Sequence, residues 1–174
     1  MTGFALAKEL GYDFVVQCDS DGQHPLEDIA RMVQEAERDK TDMLIASRFV
    51  GGTSRIQRSL ESTTYMRRLG GLGIALTLRM LTQGRRITDP TSGFRVYSRK
   101  AIEKLIANMP DEYPEPESIA ILATCSLKIG ETRVSMRPRI TGESSISGFK
   151  SMNFMIKVIS ALLGLKVREV FKRA

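Results

Sequence analysis

The stretch QCDSDGQHPLEDI, residues 17–29, sets Asp19 and Asp21 one residue apart directly after an apolar run, and His24, the chain's only histidine, follows three positions later. Two acidic side chains in so short a segment suit a hard divalent cation. Mg2+ typically takes one or two carboxylates from protein and completes its shell with phosphate and water oxygens. In an extended segment the two carboxylates cannot both point the same way. One is then expected on the metal, and the other on a hydroxyl or a bound water. The alternative is local: aspartates are turn formers and helix caps. An EF-hand is excluded, because Gly22 falls at the fourth loop position instead of the sixth and Ala30 stands where the bidentate glutamate belongs.

The elements around the pair read as an α/β domain. GFALAKELG is a short helix ending at Gly11, a C-cap, and YDFVVQC after it is a buried strand. Pro25 opens the next helix, with Glu27 and Asp28 favouring its N-terminal end and Ile29, Met32, Val33 and Ala36 at helical spacing. DMLIAS is a second buried strand, so the first fifty residues have the rhythm of a sheet with helical crossovers. Residues 63–82 read as a long helix, GFRVY as a strand, and SRKAIEKLIANM as a helix capped by Ser98. EPESIAILATCSLKIG reads as a helix closed by Gly130, ETRVSMRPRI as a last strand, and a final helix starts near Ser151.

At 174 residues, 42% hydrophobic and 26% charged, the chain is long enough to bury a core and has no repeat or low-complexity tract. Net charge is +6, and it is concentrated: from Thr132 onward nine Lys or Arg face only Glu143 and Glu169, while the remainder sums to −1. A basic C-terminal quarter calls for an anionic partner, phosphate or lipid headgroups. Nucleic acid is the weakest choice, since aromatics are sparse there and no nucleic-acid module signature occurs. MTGFALAKEL is too short and too charged to read as the apolar region of a signal peptide, and no stretch of the 174 residues reaches the roughly 20 apolar residues of a membrane span. Cys18 and Cys125 match no metal spacing and are read as reduced core thiols of a cytosolic-facing protein.

DSDGQHPLEDI, ASRF, TDPTSGFRVYSRKAI, YPEPESIAIL and RPRITGESSI occur in this order at fitting distances. Together they resemble the family 2 glycosyltransferases of GT-A fold, in particular the branch similar to polyprenyl-phosphate (dolichyl-phosphate) sugar synthases, over Gly3 to about Leu165. The resemblance implies a Rossmann-like mixed sheet flanked by helices over residues 1–150, with an amphipathic basic helix over 151–174. It also implies N-terminal truncation. Such enzymes open on a nucleotide-binding strand upstream of the position of Gly3, so the first strand is expected to be missing and a sheet edge unpaired.

The resemblance further implies Mg2+ or Mn2+ on Asp19 and Asp21 against the diphosphate of a nucleotide-sugar donor, with Gln23 nearby and Arg48 reaching a phosphate through its guanidinium fork. Asp21, Asp89 and Glu117 are the expected catalytic set. Asp89 either touches the sugar or holds its loop by an Asx-turn. Glu117, beside Glu115, is expected to contact donor or acceptor and not to act as a proton acceptor, because a phosphate acceptor is already anionic. His24 is read as ordering the loop before Pro25. Arg68 (next to Arg67), Arg137, Arg139, Ser144 and Ser145 are expected on the acceptor or its phosphate, the last four on a glycine-hinged clamp.

In the last helix Met152, Met155, Ile156, Ile159, Leu162 and Leu163 form one stripe, which suits a membrane interface, a docked core helix or a dimer helix. The implied activity is metal-dependent, inverting transfer of a sugar to an acceptor, a polyprenyl phosphate or other glycan acceptor, by a cytoplasmic protein peripheral at the inner face of a membrane. The alternative is a non-catalytic membrane-associated scaffold or inactive fragment with the same fold.

Overall fold

In a computed structural model the described residues are 2–50, 73–74, 76–82, 84–108, 114–136 and 156–164. Helix α1 (Thr2–Glu9) leads through a turn to strand β1 (Phe14–Gln17). Gly11, at φ 77°, ends α1: its own N–H bonds Lys8 O, and the N–H of Tyr12 bonds Ala7 O. This is the paired bonding of a Schellman cap. A 3-10 turn (Leu26–Asp28) with Pro25 before it leads into α2 (Ile29–Arg38), and β2 (Met43–Ser47) follows. After helical turns within 76–81 come β3 (Arg95–Ser98), α3 (Arg99–Ala107), α4 (Pro114–Thr124) and β4 (Ile129–Arg133).

The four strands form one mixed sheet in the order β1-β3-β2-β4. β3 runs antiparallel to both β1 and β2, whereas β2 and β4 are parallel, with Met43 opposite Ile129 and Ser47 opposite Arg133. β1 and β2 are therefore parallel strands joined through α2 with β3 inserted between them. Every residue of β2 is buried, and alternate side chains serve two cores. Met43 and Ile45, with Tyr97, face Ile102 and Leu105 of α3, Ile119 and Leu122 of α4, and Val158 and Leu162 of the last helix. Leu44 and Ala46, with Phe94 and Val96, face Met32 and Ala36 of α2. This is the period-two alternation of a sheet covered on both sides.

Three sequence expectations change. β1 is half-buried along its whole length, because among the described residues it pairs only with β3 and has no strand on its other side. Gly130 does not close a helix. α4 ends at Thr124, its exit turn passes through Ser126 at φ 59°, and Gly130 lies inside β4. A glycine stands there because Thr41 and Leu44 press on the strand, each leaving only 3.2 Å to where a Cβ would be. The cysteines are not core thiols: Cys18 is exposed and Cys125 half-buried, both free.

The stripe of the last helix divides. Within 156–164, Val158 and Leu162 are fully buried, while Ile156 and Leu163 are exposed. The described part thus docks on the core, and its other face still carries apolar side chains.

Gly130→Ala forces a methyl against the side chains of Thr41 and Leu44 on β4, the last strand of the sheet. It is expected to lower unfolding free energy by about 1–3 kcal/mol, the usual cost of overpacking, measured by urea unfolding. A change within about 0.5 kcal/mol, the range of ordinary surface substitutions, would contradict the packing described.

Candidate functional site

Because β3 is antiparallel to its neighbours, its first residues lie beside the chain segments that leave β1 and β2 at their C-terminal ends: Gln17 pairs with Arg95 and Ile45 with Arg95 from the other side. Ligands of open α/β sheets bind outside those strand ends. Here the loops carrying Asp19, Arg48 and Asp89 converge with the start of α4.

The Asp19 loop is held from below. His24, itself buried, accepts a hydrogen bond from the Asp19 backbone N–H at its Nδ1 (2.9 Å), and its ring stacks on Phe94 at a centroid distance of 4.9 Å. Its Nε2 lies 3.8 Å from Asp19 Oδ2. An Nδ1 that accepts leaves the proton of a neutral imidazole on Nε2, facing the carboxylate. His24 orders the loop, as expected from the sequence. Asp21 Oδ1 accepts from the Gln23 N–H (3.0 Å), so the turn chemistry foreseen for the pair is realised at Asp21.

Gly93 explains how Asp19 is placed. A Cβ on Gly93 would stand 2.7 Å from Asp19 Oδ2 and 3.0 Å from Oδ1, closer than a side chain tolerates. The carboxylate rests in the space that glycine leaves, with its side chain still 58% exposed.

Arg48 and Asp89 meet directly. Arg48 Nε and Nη2 bond the two oxygens of Asp89 at 2.9 and 3.1 Å, and the Arg48 backbone N–H adds a third bond at 3.2 Å. Asp89 is 1% exposed. Its carboxylate is engaged in this bidentate ion pair with Arg48, across the site, and not in the Asx-turn the sequence offered as one of its two roles. The Arg48 fork that sequence reasoning aimed at a phosphate is engaged on Asp89.

Two further residues organise the site. Glu131 of β4 accepts from the Thr88 N–H (2.9 Å), the Thr88 hydroxyl (3.0 Å) and the Asp89 N–H (2.9 Å). Arg95, wholly buried, donates to the carbonyls of Ser92, Pro90 and Glu115 and to the Ser118 hydroxyl. Sequence reasoning missed both. Arg95 did leave a signal, a charged residue inside the apolar strand GFRVY; Glu131 left none. Glu117, 7% exposed, sits in the acidic first turn of α4 with Glu115. Arg67, Arg68, Arg137, Arg139, Ser144 and Ser145 lie outside the described residues.

Among the described residues no three His, Cys, Asp or Glu side chains cluster as a metal cage. A cavity of about 350 Å³ lined by Arg85, Ser126 and Lys128 opens at the opposite end of β4, away from Asp19 and Asp21.

Residues 1–106 match glycosyl transferase family 2. The chain belongs to that family. Its mixed α/β sheet flanked by helices is consistent with a GT-A-like fold. The chain is 28% identical over 172 residues to a UDP-N-acetylglucosamine–dolichyl-phosphate N-acetylglucosaminyltransferase of Methanococcus voltae, a match covering 98% of this chain and 65% of that protein. It is 28% identical over 168 residues to a polyprenol monophosphomannose synthase of Mycolicibacterium smegmatis, covering 91% of this chain and 58% of the relative. It is also 32% identical over 142 residues to a dolichol-phosphate mannosyltransferase of Pyrococcus furiosus, covering 81% of this chain and 38% of that protein. The chain thus spans less than two thirds of the length of these family 2 relatives.

Glu131→Ala strips three donors of one charged acceptor and is expected to cost about 2–3 kcal/mol, given what hydrogen bonds to charged groups contribute. Glu131→Gln keeps one oxygen and should lose roughly half of that. Urea unfolding of both variants checks the order; equal stability of Glu131→Ala and the parent would show that the clamp does not hold the 88–89 loop.

Proposed function

We propose that this chain carries the donor site of a metal-dependent, inverting glycosyltransferase that moves a sugar from a nucleotide diphosphate to a polyprenyl phosphate at a membrane surface. The observation that carries the reading is the Asp19–Asp21 pair. The pair follows the C-terminal end of β1; Asp19 is seated against Gly93 and braced by His24, with its carboxylate exposed. Three relatives named for dolichyl-phosphate or polyprenol substrates support the acceptor class.

Asp19 and Asp21 would hold Mg2+ or Mn2+, which supplies Lewis-acid charge neutralisation to the departing diphosphate. Gln23 belongs to the same loop. An oxygen of the acceptor phosphate attacks the anomeric carbon in line, the bond from that carbon to the diphosphate oxygen breaks, and the nucleoside diphosphate leaves with the electron pair. The attacking oxygen is already anionic, so no proton has to be removed. Glu117 is accordingly a donor or acceptor contact. Asp89, fixed by Arg48 and Glu131, presents its loop to the sugar. Arg68, Arg137, Arg139, Ser144 and Ser145 are assigned to the acceptor and its phosphate.

No helix among the described residues is long and apolar enough to cross a membrane. Contact with a membrane surface is supported by the exposed apolar side chains Leu76, Met80, Ile156 and Leu163, which accompany the exposed cations Arg79 and Lys157, and we assign that surface to the inner, cytoplasmic face.

Asp21→Ala is expected to abolish Mn2+-dependent binding of UDP or GDP in calorimetry and to slow sugar transfer by about 10²–10³-fold, the scale of losing one transition-state stabiliser. Nucleotide affinity that is the same with EDTA, or the same in Asp21→Ala, would overturn the metal role. Replacing Ile156 and Leu163 together by Asp should weaken co-sedimentation with anionic liposomes by roughly tenfold or more, since burying one such side chain contributes about 1.5–3 kcal/mol. Undiminished co-sedimentation would remove this face from the membrane contact.

A further inference from the structure

Arg95 is completely buried, yet all its hydrogen-bond acceptors are neutral. Nε donates to Ser92 O at 2.6 Å, Nη2 to Pro90 O at 2.8 Å, and Nη1 to Glu115 O at 2.7 Å and Ser118 Oγ at 2.8 Å. Ser118 Oγ in turn donates to Glu115 O at 2.9 Å. Among the described residues no carboxylate lies within ion-pair distance of the guanidinium. An unpaired charge is costly to bury, and an apolar side chain would fill this place in the core at lower cost. What an apolar side chain cannot supply is the planar fan of donors, which reaches two chain segments at once.

Those two segments are the ones the site needs in register. The 90–92 loop is bounded by Asp89, bonded to Arg48, and by Gly93, against which Asp19 rests. The other segment is the first turn of α4, where Glu117 stands between the two residues that Arg95 grips. We propose that Arg95 is a positioning residue: its guanidinium sets the first turn of α4, and Glu117 with it, at a fixed distance from the Asp19–Asp21 pair. It touches neither donor nor acceptor. The inference rests on the transferase reading above, in which Glu117 contacts donor or acceptor.

Arg95→Lys keeps the charge and loses the fan, and Arg95→Met keeps much of the volume and loses both. Hydrogen exchange by mass spectrometry reads the geometry without reference to activity. In Arg95→Lys, amides of 89–94 and 114–118 should exchange about tenfold faster, the effect of roughly one lost hydrogen bond, while those of 43–47 and 129–133 keep their protection. Transfer assays should show kcat falling by about tenfold to a hundredfold through misplacement, with metal-dependent UDP or GDP affinity held within roughly threefold. Arg95→Met should show the same pattern more strongly; if it fails to fold, Arg95→Lys alone decides.

Unchanged exchange in both segments would overturn the assignment. So would loosened segments with parental kcat, or kcat, nucleotide affinity and protection in β2 and β4 all falling together, since each of these marks a merely structural residue. A parent protein that transferred no sugar to polyprenyl phosphate would sink the transferase reading, and the exchange pattern would still decide whether Arg95 locks the two segments.

Discussion

The antiparallel insertion of β3 between β1 and β2 is the constraint on which the site depends. A strand that entered parallel would deliver its first residues to the opposite end of the sheet. Entering antiparallel, it brings Gly93, Phe94 and Arg95 to the end where β1 and β2 release their loops. Successive residues of a strand face opposite sides, and these three divide the work accordingly. Gly93 makes room for Asp19, Phe94 carries the His24 ring on the α2 side, and Arg95 grips the 90–92 loop and α4 on the other. A single tripeptide thereby sets the metal-binding candidate, its brace and the helix that carries Glu117.

Charge is handled differently at each of these points. Asp89 is buried with a bidentate arginine, an arrangement that satisfies both carboxylate oxygens and fixes the loop in one geometry. Glu131 meets three neutral donors, which suits a carboxylate at the half-buried rim of the sheet. Asp19 is left exposed, its position set by its backbone bond to His24 and by the gap at Gly93. The buried and half-buried carboxylates hold loops, whereas the Asp19 carboxylate stays open to solvent.

Membership of family 2 and the position of the acidic pair came through in the primary structure, because both are local. DSDGQHPLEDI is contiguous, and its turn, its proline and its acidic helix start act within a few residues of one another. Ser98 as a helix cap and Gly11 as a helix end were legible for the same reason: each acts on its own turn. The helix boundary at Gly130 was misread because a glycine after an apolar helical run has the same local appearance whether it ends the helix or admits a neighbouring strand. Only the approach of Thr41 and Leu44, more than eighty residues away in sequence, distinguishes the two. The burial of β1 was misread too, since an apolar run does not reveal how many neighbours its strand will have.

By itself the sequence determined the alternation of strands and helices, the Asp19–Asp21 pair and its loop, the caps, and the concentration of positive charge toward the C-terminus. These follow from side-chain chemistry and spacing along the chain. The tertiary structure alone decided that Arg48 closes on Asp89, that Glu131 clamps residues 88 and 89, and that Arg95 joins a loop to a helix some twenty residues further on. Each of these is a contact between segments whose separation is set by strand order and direction. Periodicity specifies which face of a strand is buried, but it carries no information on which strand lies beside it.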